Sequence, residues 1–393
     1  MKLGTGLATN QIRRRGRPVD VSSMFIPFGY GSPLTQYPLR DTDMRYQVTN
    51  GVSIQRASQD WEGSVDQNSR LKHTVFYDAT DFQLVYTNGV SAAPLNVRAG
   101  LETPSGTYPV MFQGQRDVVI GACGVVVSDP IPVRVAPGGV VWSRTKVSST
   151  SAVSADRTCD NNEGEGAVFG TGDDRTLSGT INSVYVRCYG PSAVLGLTYP
   201  VGQPALVIYG DSIVDSNNDG RGKGWAGRIT ARPVIKSGVD GDTVDVFNSR
   251  QVRMPLRAGA QVAICAFGIN NLTGGDSLAA LQAKLAAFWT ELRNAGVKVY
   301  QTTITPKSSS IDGWATVANQ TTDGINATRA TLNDWIRTRP APLSGYIELA
   351  DAVESTRNSG LWKAGSLTND GVHPVDAGHI LLAAAADAAF STI

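Results

Sequence analysis

Ala205-Leu-Val-Ile-Tyr-Gly-Asp-Ser212 decides how this chain is read. Residues 205–209 form a short, unbroken apolar run, entered from a Gly202-Gln203-Pro204 turn, and so predict a buried strand. Gly210 lets the backbone turn sharply. Ser212 then falls just past the carboxyl end of the strand, where open α/β sheets place their ligand crevice. Gly, Asp and Ser are also ordinary turn residues, so the tripeptide gains meaning only from what surrounds it.

Outward from this strand, the pattern after about residue 200 alternates strands with helices, the signature of a parallel sheet with crossover helices. Residues 224–232 read as a helix, and 244–247 and 262–267 as strands. Asp276 is placed as the cap of an amphipathic helix running to about Asn294, with Leu278, Leu281, Leu285, Phe288 and Leu292 on one face. A strand at 297–300, a helix at 325–337, a strand at 346–349 and a closing helix at 377–389 follow.

Upstream the rhythm is different. From 71 to 200, short apolar runs at 74–77, 82–86, 95–98, 110–112, 118–120, 131–135 and 140–142 are separated by turn signals such as Pro137-Gly138-Gly139. That spacing predicts an antiparallel sandwich or jelly roll. Residues 1–70 are polar and irregular, and are expected to be an arm that packs on something else. The expected organisation is therefore an arm (1–70), a β-sandwich domain (71–200) and an α/β domain (201–393).

Bulk composition narrows the function classes. The 35 basic and 34 acidic residues leave a net charge of +1, so the field of a typical nucleic-acid binder is missing. The Arg13-Arg14-Arg15 cluster reads as a solvated arm. No apolar stretch approaches a membrane span, so neither a nucleic acid nor a membrane is expected as partner. The Met1-Lys2-Leu3-Gly4 start has no apolar core behind it. On that basis the chain is expected to be cytoplasmic or part of a virion rather than classically secreted. Four cysteines are too few for a disulfide scaffold; Cys159 and Cys188 flank one loop and can pair or stay free.

Three short elements follow strand ends in the α/β part: Gly210-Asp-Ser212, Gly268-Ile-Asn270 and Asp370-Gly-Val-His373. A serine hydroxyl needs a base, and neutral imidazole has a suitable pKa near neutrality. A carboxylate must in turn hold that imidazole in one tautomer. Ser212, His373 and Asp370 are thus the candidate nucleophile, base and orienting acid. The Ser212 N–H and the Asn270 amide are candidate oxyanion donors. Asp211 and Gly268 are candidate substrate-binding positions.

In order and spacing, these elements resemble blocks I, III and V of the SGNH (GDSL-type) hydrolases: Gly-Asp-Ser, Gly-x-Asn and Asp-x-x-His. Upstream, Phe82-Gln-Leu-Val-Tyr-Thr-Asn88, Phe112-Gln-Gly114, Ser128-Asp-Pro130 and Val135-Ala-Pro-Gly138 resemble the β-rich region before the hydrolase core in one branch of the family. The resemblance implies a three-layer α/β/α sandwich with a parallel sheet, preceded by the β-sandwich. It also implies a serine esterase that works through an acyl-enzyme and requires no cofactor or metal. The substrate it suggests is a small ester or an acylated, foremost acetylated, glycan. A general carboxylesterase or lipase-like acylhydrolase, and a glycan-binding or structural protein keeping the fold, stay open beside it. Two departures stand out. Asn271 replaces the aspartate that often follows Gly-x-Asn. Block II normally supplies a glycine N–H, but the strand read at 244–247 is followed by Asn248-Ser249-Arg250, which leaves Ser249 or Arg250 for that role.

Other residues have plainer readings. His73 and His379 are expected to be packed, and Trp225, Trp289 and Trp335 to be core. Asp215 to Gly220 matches half of a calcium loop, but Ala226 stands where a bidentate glutamate is needed.

Overall fold

The computed structural model describes residues 46–49, 66–88, 93–150, 157–181, 187–198, 204–219, 223–247 and 253–393. Arg13-Arg14-Arg15 and most of the arm expected over 1–70 lie outside the described residues. Where that arm is described, it is not irregular: residues 46–47 and 66–70 belong to strands.

The N-terminal part is antiparallel. Its strands are β1 (Tyr46–Gln47), β2 (Asp66–Thr74), β3 (Ala79–Thr87), β4 (Leu95–Thr103), β5 (Gly106–Pro109) and β6 (Asp117–Ile120). They continue with β7 (Val125–Val127), β8 (Val140–Ser149), β9 (Arg157–Thr158), β10 (Gly166–Phe169), β11 (Arg187–Cys188) and β12 (Ala193–Thr198). One sheet runs β1-β12-β3-β7, and the other β10-β2-β8-β4-β5 with β6 also paired to β4. Phe82, Leu84 and Tyr86 of β3 and Val194 of β12 share an apolar core with Val97, Leu101, Val141 and Val147 of the second sheet. Two sheets sharing one core make a sandwich.

Side chains alternate along a strand, so the first sheet has a second face. Val85 of β3, Val127 of β7, and Ala193 and Leu195 of β12 belong to the core of the downstream unit instead. Ala193 pairs with Val85 and Val85 with Val127, which sets three of them in one row across three strands. This sheet is buried on both sides.

Several expected strands are corrected. Residues 110–112 and 131–135 make only isolated bridges, at Phe112, Ile131 and Val135. Pro130 and Pro132 lack the N–H a ladder needs. Of the strand expected at 74–77 only Thr74 is in a strand, as the last residue of β2, which begins eight residues earlier at Asp66. Its first half was hidden because Gln67, Asn68 and Ser69 are polar yet buried. Ser69 donates to the Tyr189 carbonyl at 2.5 Å, and Gln67 accepts from the Tyr189 N–H at 2.6 Å.

Beyond residue 204 the chain becomes α/β. Strands β13 (Leu206–Gly210), β14 (Val234–Gly238), β15 (Val262–Ala266) and β16 (Lys298–Thr302) are followed by a hairpin, β17 (Ser308–Ser310) and β18 (Gln320–Thr322), and by β19 (Gly345–Ile347). The parallel sheet has the order β14-β13-β15-β16-β19. Burial on both faces explains the unbroken apolar runs of β13 and β15. Helices α1 (Ser212–Asp215), α2 (Ile269–Thr273), α3 (Leu278–Asn294), α4 (Asn326–Arg337), α5 (Ala350–Val353) and α6 (Asp376–Phe390) complete an α/β fold. Tyr209 and Phe288 of α3 meet edge to face, and Trp289 of α3 stacks on Trp335 of α4.

Three readings change here. The strand is at 234–238, not 244–247. Val244 and Phe247 are buried while Asp245 and Val246 between them are exposed, so burial does not follow the period of two of a strand, and among the described residues no strand pairs with this segment. The helix expected over 224–232 is a single 3-10 turn, Ala226–Arg228; Gly224 takes φ +57° before it and Pro233 follows. Ser277, not Asp276, caps α3 by accepting from the Ala280 N–H, while Asp276 binds Lys284 and Asn271.

Candidate active site

In sheet order the strands run second, first, third, so consecutive connections leave β13 in opposite directions. A crevice opens at such a switch point, outside the carboxyl ends of the strands. Three loops converge there: Asp211-Ser212 after β13, residues 239–242 after β14 and Gly268 to Asn270 after β15.

Ser212 is the first residue of α1, which follows β13 with one residue between. The tightness of this turn dictates glycine at 210, because a Cβ there would lie 2.3 Å from Val214 Cγ2. Asp211 caps the helix, its Oδ1 accepting from the Ile213 N–H at 3.0 Å. The Ser212 hydroxyl lies 2.8 Å from His373 Nε2. His373 Nδ1 lies 2.6 Å from Asp370 Oδ2.

The protonation pattern follows from the acid. Burial pushes the Asp370 carboxyl up, but the His373 backbone N–H, the His373 ring and the Val372 N–H hold it down at about 2. An ionised Asp370 only accepts, so Nδ1 of His373 carries the proton and Nε2 is left to accept from Ser212. The loop is fixed by Thr368, whose hydroxyl donates to the His373 carbonyl and accepts from the Gly371 N–H. Gly371, at φ +83°, is required because a Cβ would lie 1.8 Å from the Ser308 carbonyl oxygen.

Asn270 donates through Nδ2 to the Asp242 carbonyl at 2.9 Å, using one of its two amide protons. Asn271 is buried and structural: Oδ1 accepts from the Val244 N–H and Nδ2 donates to Asp245 and Asp276. With the strand at 234–238, its loop is Val239-Asp-Gly-Asp242, and Gly241 stands at φ +74° beside open space. A glycine therefore does follow the second strand of the sheet, where the reading of 244–247 had none. Lys236 and Ser237 had disguised that strand. Ser249 and Arg250, the substitutes expected in its place, lie outside the described residues.

Asp211 and Gly268 do not stand where a substrate would touch them. Gly268 is buried at φ +144°, and a Cβ would lie 2.3 Å from Ile304 Cδ1. Asp211 is 1% exposed and its Oδ2 is buried without a partner. Burial, followed by the nearby Asp242 and Asp240 charges, raises its carboxyl to about 7. The folded state thus holds a proton between pH 3.8 and about 7 that the unfolded chain releases, and stability falls as pH rises through that window. Asp211→Asn keeps the cap and removes this dependence. Thermal melts from pH 4 to 8 should show the wild type losing up to roughly 4 kcal/mol relative to the variant, and parallel curves would refute it.

His379 is packed, as expected. It is fully buried, Nδ1 accepts from the Trp225 N–H at 3.1 Å and Nε2 faces the Asn217 carbonyl at 3.2 Å; burial pushes it down to about 4. His73 is likewise buried against Ser143. In the calcium-like loop, both oxygens of Asp219 are engaged by Arg228. Among the described residues no cluster of His, Cys, Asp and Glu is placed to hold a metal. Cys159 and Cys188 are buried in one small apolar cluster with Leu71 and Ala167.

A parallel sheet with a serine, a histidine and a carboxylate hydrogen-bonded in series at its switch point defines an SGNH-type hydrolase fold. Residues 208–381 match the model of the GDSL-like Lipase/Acylhydrolase family. No curated protein matches the chain significantly. Similar solved structures include a putative lipolytic protein of the G-D-S-L family from Desulfitobacterium hafniense, at 15% identity over 47% of this chain and 98% of that one, with a TM-score of 0.38. A catalytic mutant of an acetylxylan esterase from Geobacillus stearothermophilus aligns at 17% identity over 48% and 95%, TM-score 0.37. A GDSL-like lipase from Bacteroides thetaiotaomicron aligns at 18% over 49% and 92%, TM-score 0.37.

Proposed function

We propose that the protein is a serine ester hydrolase that removes short acyl groups, acetyl foremost, from a carbohydrate. The observation that carries this reading is the unbroken hydrogen-bonded series Asp370–His373–Ser212 at the carboxyl end of the sheet. Ser212 Oγ attacks the ester carbonyl carbon as His373 Nε2 takes its proton. The resulting oxyanion accepts from the Ser212 N–H, the second amide proton of Asn270 and the Gly241 N–H. The tetrahedral species collapses, the carbon–alcohol oxygen bond breaks, and the leaving alcohol takes the proton from Nε2. Water then attacks the acyl-enzyme, giving its proton to His373, and the acid leaves as Ser212 regains its hydrogen.

Two features support a carbohydrate. The rim beside His373 is polar, with Asn218 and Asn369 exposed on it. Lys223, on the stretch after the nucleophile helix, pairs with Glu163 and Asp160 of the sandwich, which brings that unit close to the cleft. The test measures acetate release from an acetylated polysaccharide, alongside p-nitrophenyl acetate and a long-chain p-nitrophenyl ester. Preference for the acetyl substrates, with a fluorophosphonate labelling Ser212 alone, is the expected result. Preference for the long chain would make it a lipase-like acylhydrolase, and no turnover or labelling would leave a glycan-binding protein.

A further inference from the structure

We infer that Asn218 is a positioning residue for the acid of the triad, an inference that rests on the reading of Ser212, His373 and Asp370 given above. Asn218 Nδ2 donates to Asp370 Oδ2 at 3.1 Å and to Asn369 Oδ1 at 2.7 Å. Oδ2 is the same oxygen that accepts from His373 Nδ1. The acid is therefore gripped from two sides: its own loop supplies the His373 ring and the backbone N–H groups, and the loop after the nucleophile helix supplies an amide.

That second loop is itself anchored. Asn217 offers its carbonyl to His379, the Asp219 N–H donates to the Ser216 carbonyl, and the Asp219 carboxylate holds the Gly224 N–H and the Arg228 guanidinium. Asn218 sits between these anchors at φ +64°, a left-handed conformation that asparagine tolerates better than most residues. Its side chain thus reaches Asp370 from a fixed backbone. One element positions both the nucleophile and, through Asn218, the far end of the relay.

An amide donor on Oδ2 draws negative charge away from the imidazole. Without it, Asp370 stabilises the imidazolium form of His373 more strongly, and the base is lost at a higher pH. The groups facing the Asp370 carboxyl are the His373 ring, the Thr368 hydroxyl at 3.3 Å, the Val372 and His373 N–H groups and Asn218. Glycine adopts φ +64° without strain, so Asn218→Gly removes the amide alone. Asn218→Asp keeps the shape and turns the donor into an anion.

The experiment compares pH profiles of kcat/KM for wild type, Asn218→Gly, Asn218→Asp and Ser212→Ala. On p-nitrophenyl acetate, which carries no sugar to meet the rim, Asn218→Gly should lower kcat about tenfold with KM unchanged, and move the acid limb upward by about half a pH unit. Asn218→Asp should move it further in the same direction. A fall in kcat with the acid limb unmoved in both variants would reduce Asn218 to a structural residue and overturn the inference. Undiminished activity in Ser212→Ala would instead overturn the triad on which it rests.

Discussion

Ser212→Ala should lower kcat on p-nitrophenyl acetate by a factor on the order of 10⁶. The change removes one oxygen from a residue that is 4% exposed and holds the first position of α1. Alanine favours the helix and fills nearly the same space, so the melting temperature should stay close to that of the wild type. What disappears is the proposed bond-forming atom. His373 and Asp370 keep their own hydrogen bonds, and the proposed oxyanion donors at 212, 241 and 270 remain. A residual rate above that of water is therefore expected. KM should change little, because the oxygen contributes to the transition state far more than to ground-state binding. A loss of less than tenfold would mean that another group carries the reaction.

Arg253→Ala should cost about 3–5 kcal/mol of stability, the scale for breaking one side of a buried ion pair. Arg253 is fully buried. It donates through Nε to Ser237 Oγ at 2.9 Å, and through its terminal nitrogens to the Gly210 and Ser237 carbonyls and to the Asp242 carboxylate. Its guanidinium also lies over the Phe247 ring, 4.1 Å from the centroid. This one side chain ties the end of β13 to the end of β14 and to the loop carrying Gly241. Truncation leaves the Asp242 carboxylate buried without that counter-charge, and two strand-end carbonyls without this donor. Lysine cannot restore the fork, since it places a single point charge. Urea unfolding reads the effect directly, and a change below about 0.5 kcal/mol would place Arg253 among ordinary surface positions. Because Asp242 also offers its carbonyl to Asn270, kcat measured under fully folded conditions should fall as well.

The contrast between β13 and β14 shows what a single sequence reveals about such a fold. Strands β13 and β15 were legible because their side chains are apolar and lie in the core on both faces. β14 was not, because Lys236 and Ser237 point to partners in the site: Lys236 donates to Ser216 Oγ at 3.1 Å, and Ser237 accepts from Arg253. A buried strand that serves a polar site looks like a loop. The alternating segment 244–247 then offered a better strand pattern and displaced the assignment of the glycine loop. The elements bearing serine, asparagine, aspartate and histidine escaped this problem, since short motifs at strand ends and in loops are read by residue type rather than by hydropathy. The same physics hid the start of β2, whose polar side chains are buried by bonding the Tyr189 backbone.

The sheet that lies between the two cores has a mechanical consequence. An accessory module on a tether samples many orientations and leaves its enzyme free to approach a polymer from any side. Here Val85, Val127, Ala193 and Leu195 are buried among hydrolase side chains, and Leu195 lies against Gly259 with no room for a Cβ between them. Swinging the sandwich away would expose that apolar row to water, at roughly 25 cal/mol for each Å² uncovered. The two units therefore melt and move as one body, and cutting the chain near residue 204 would yield fragments with a sticky, aggregation-prone wound rather than a free catalytic domain.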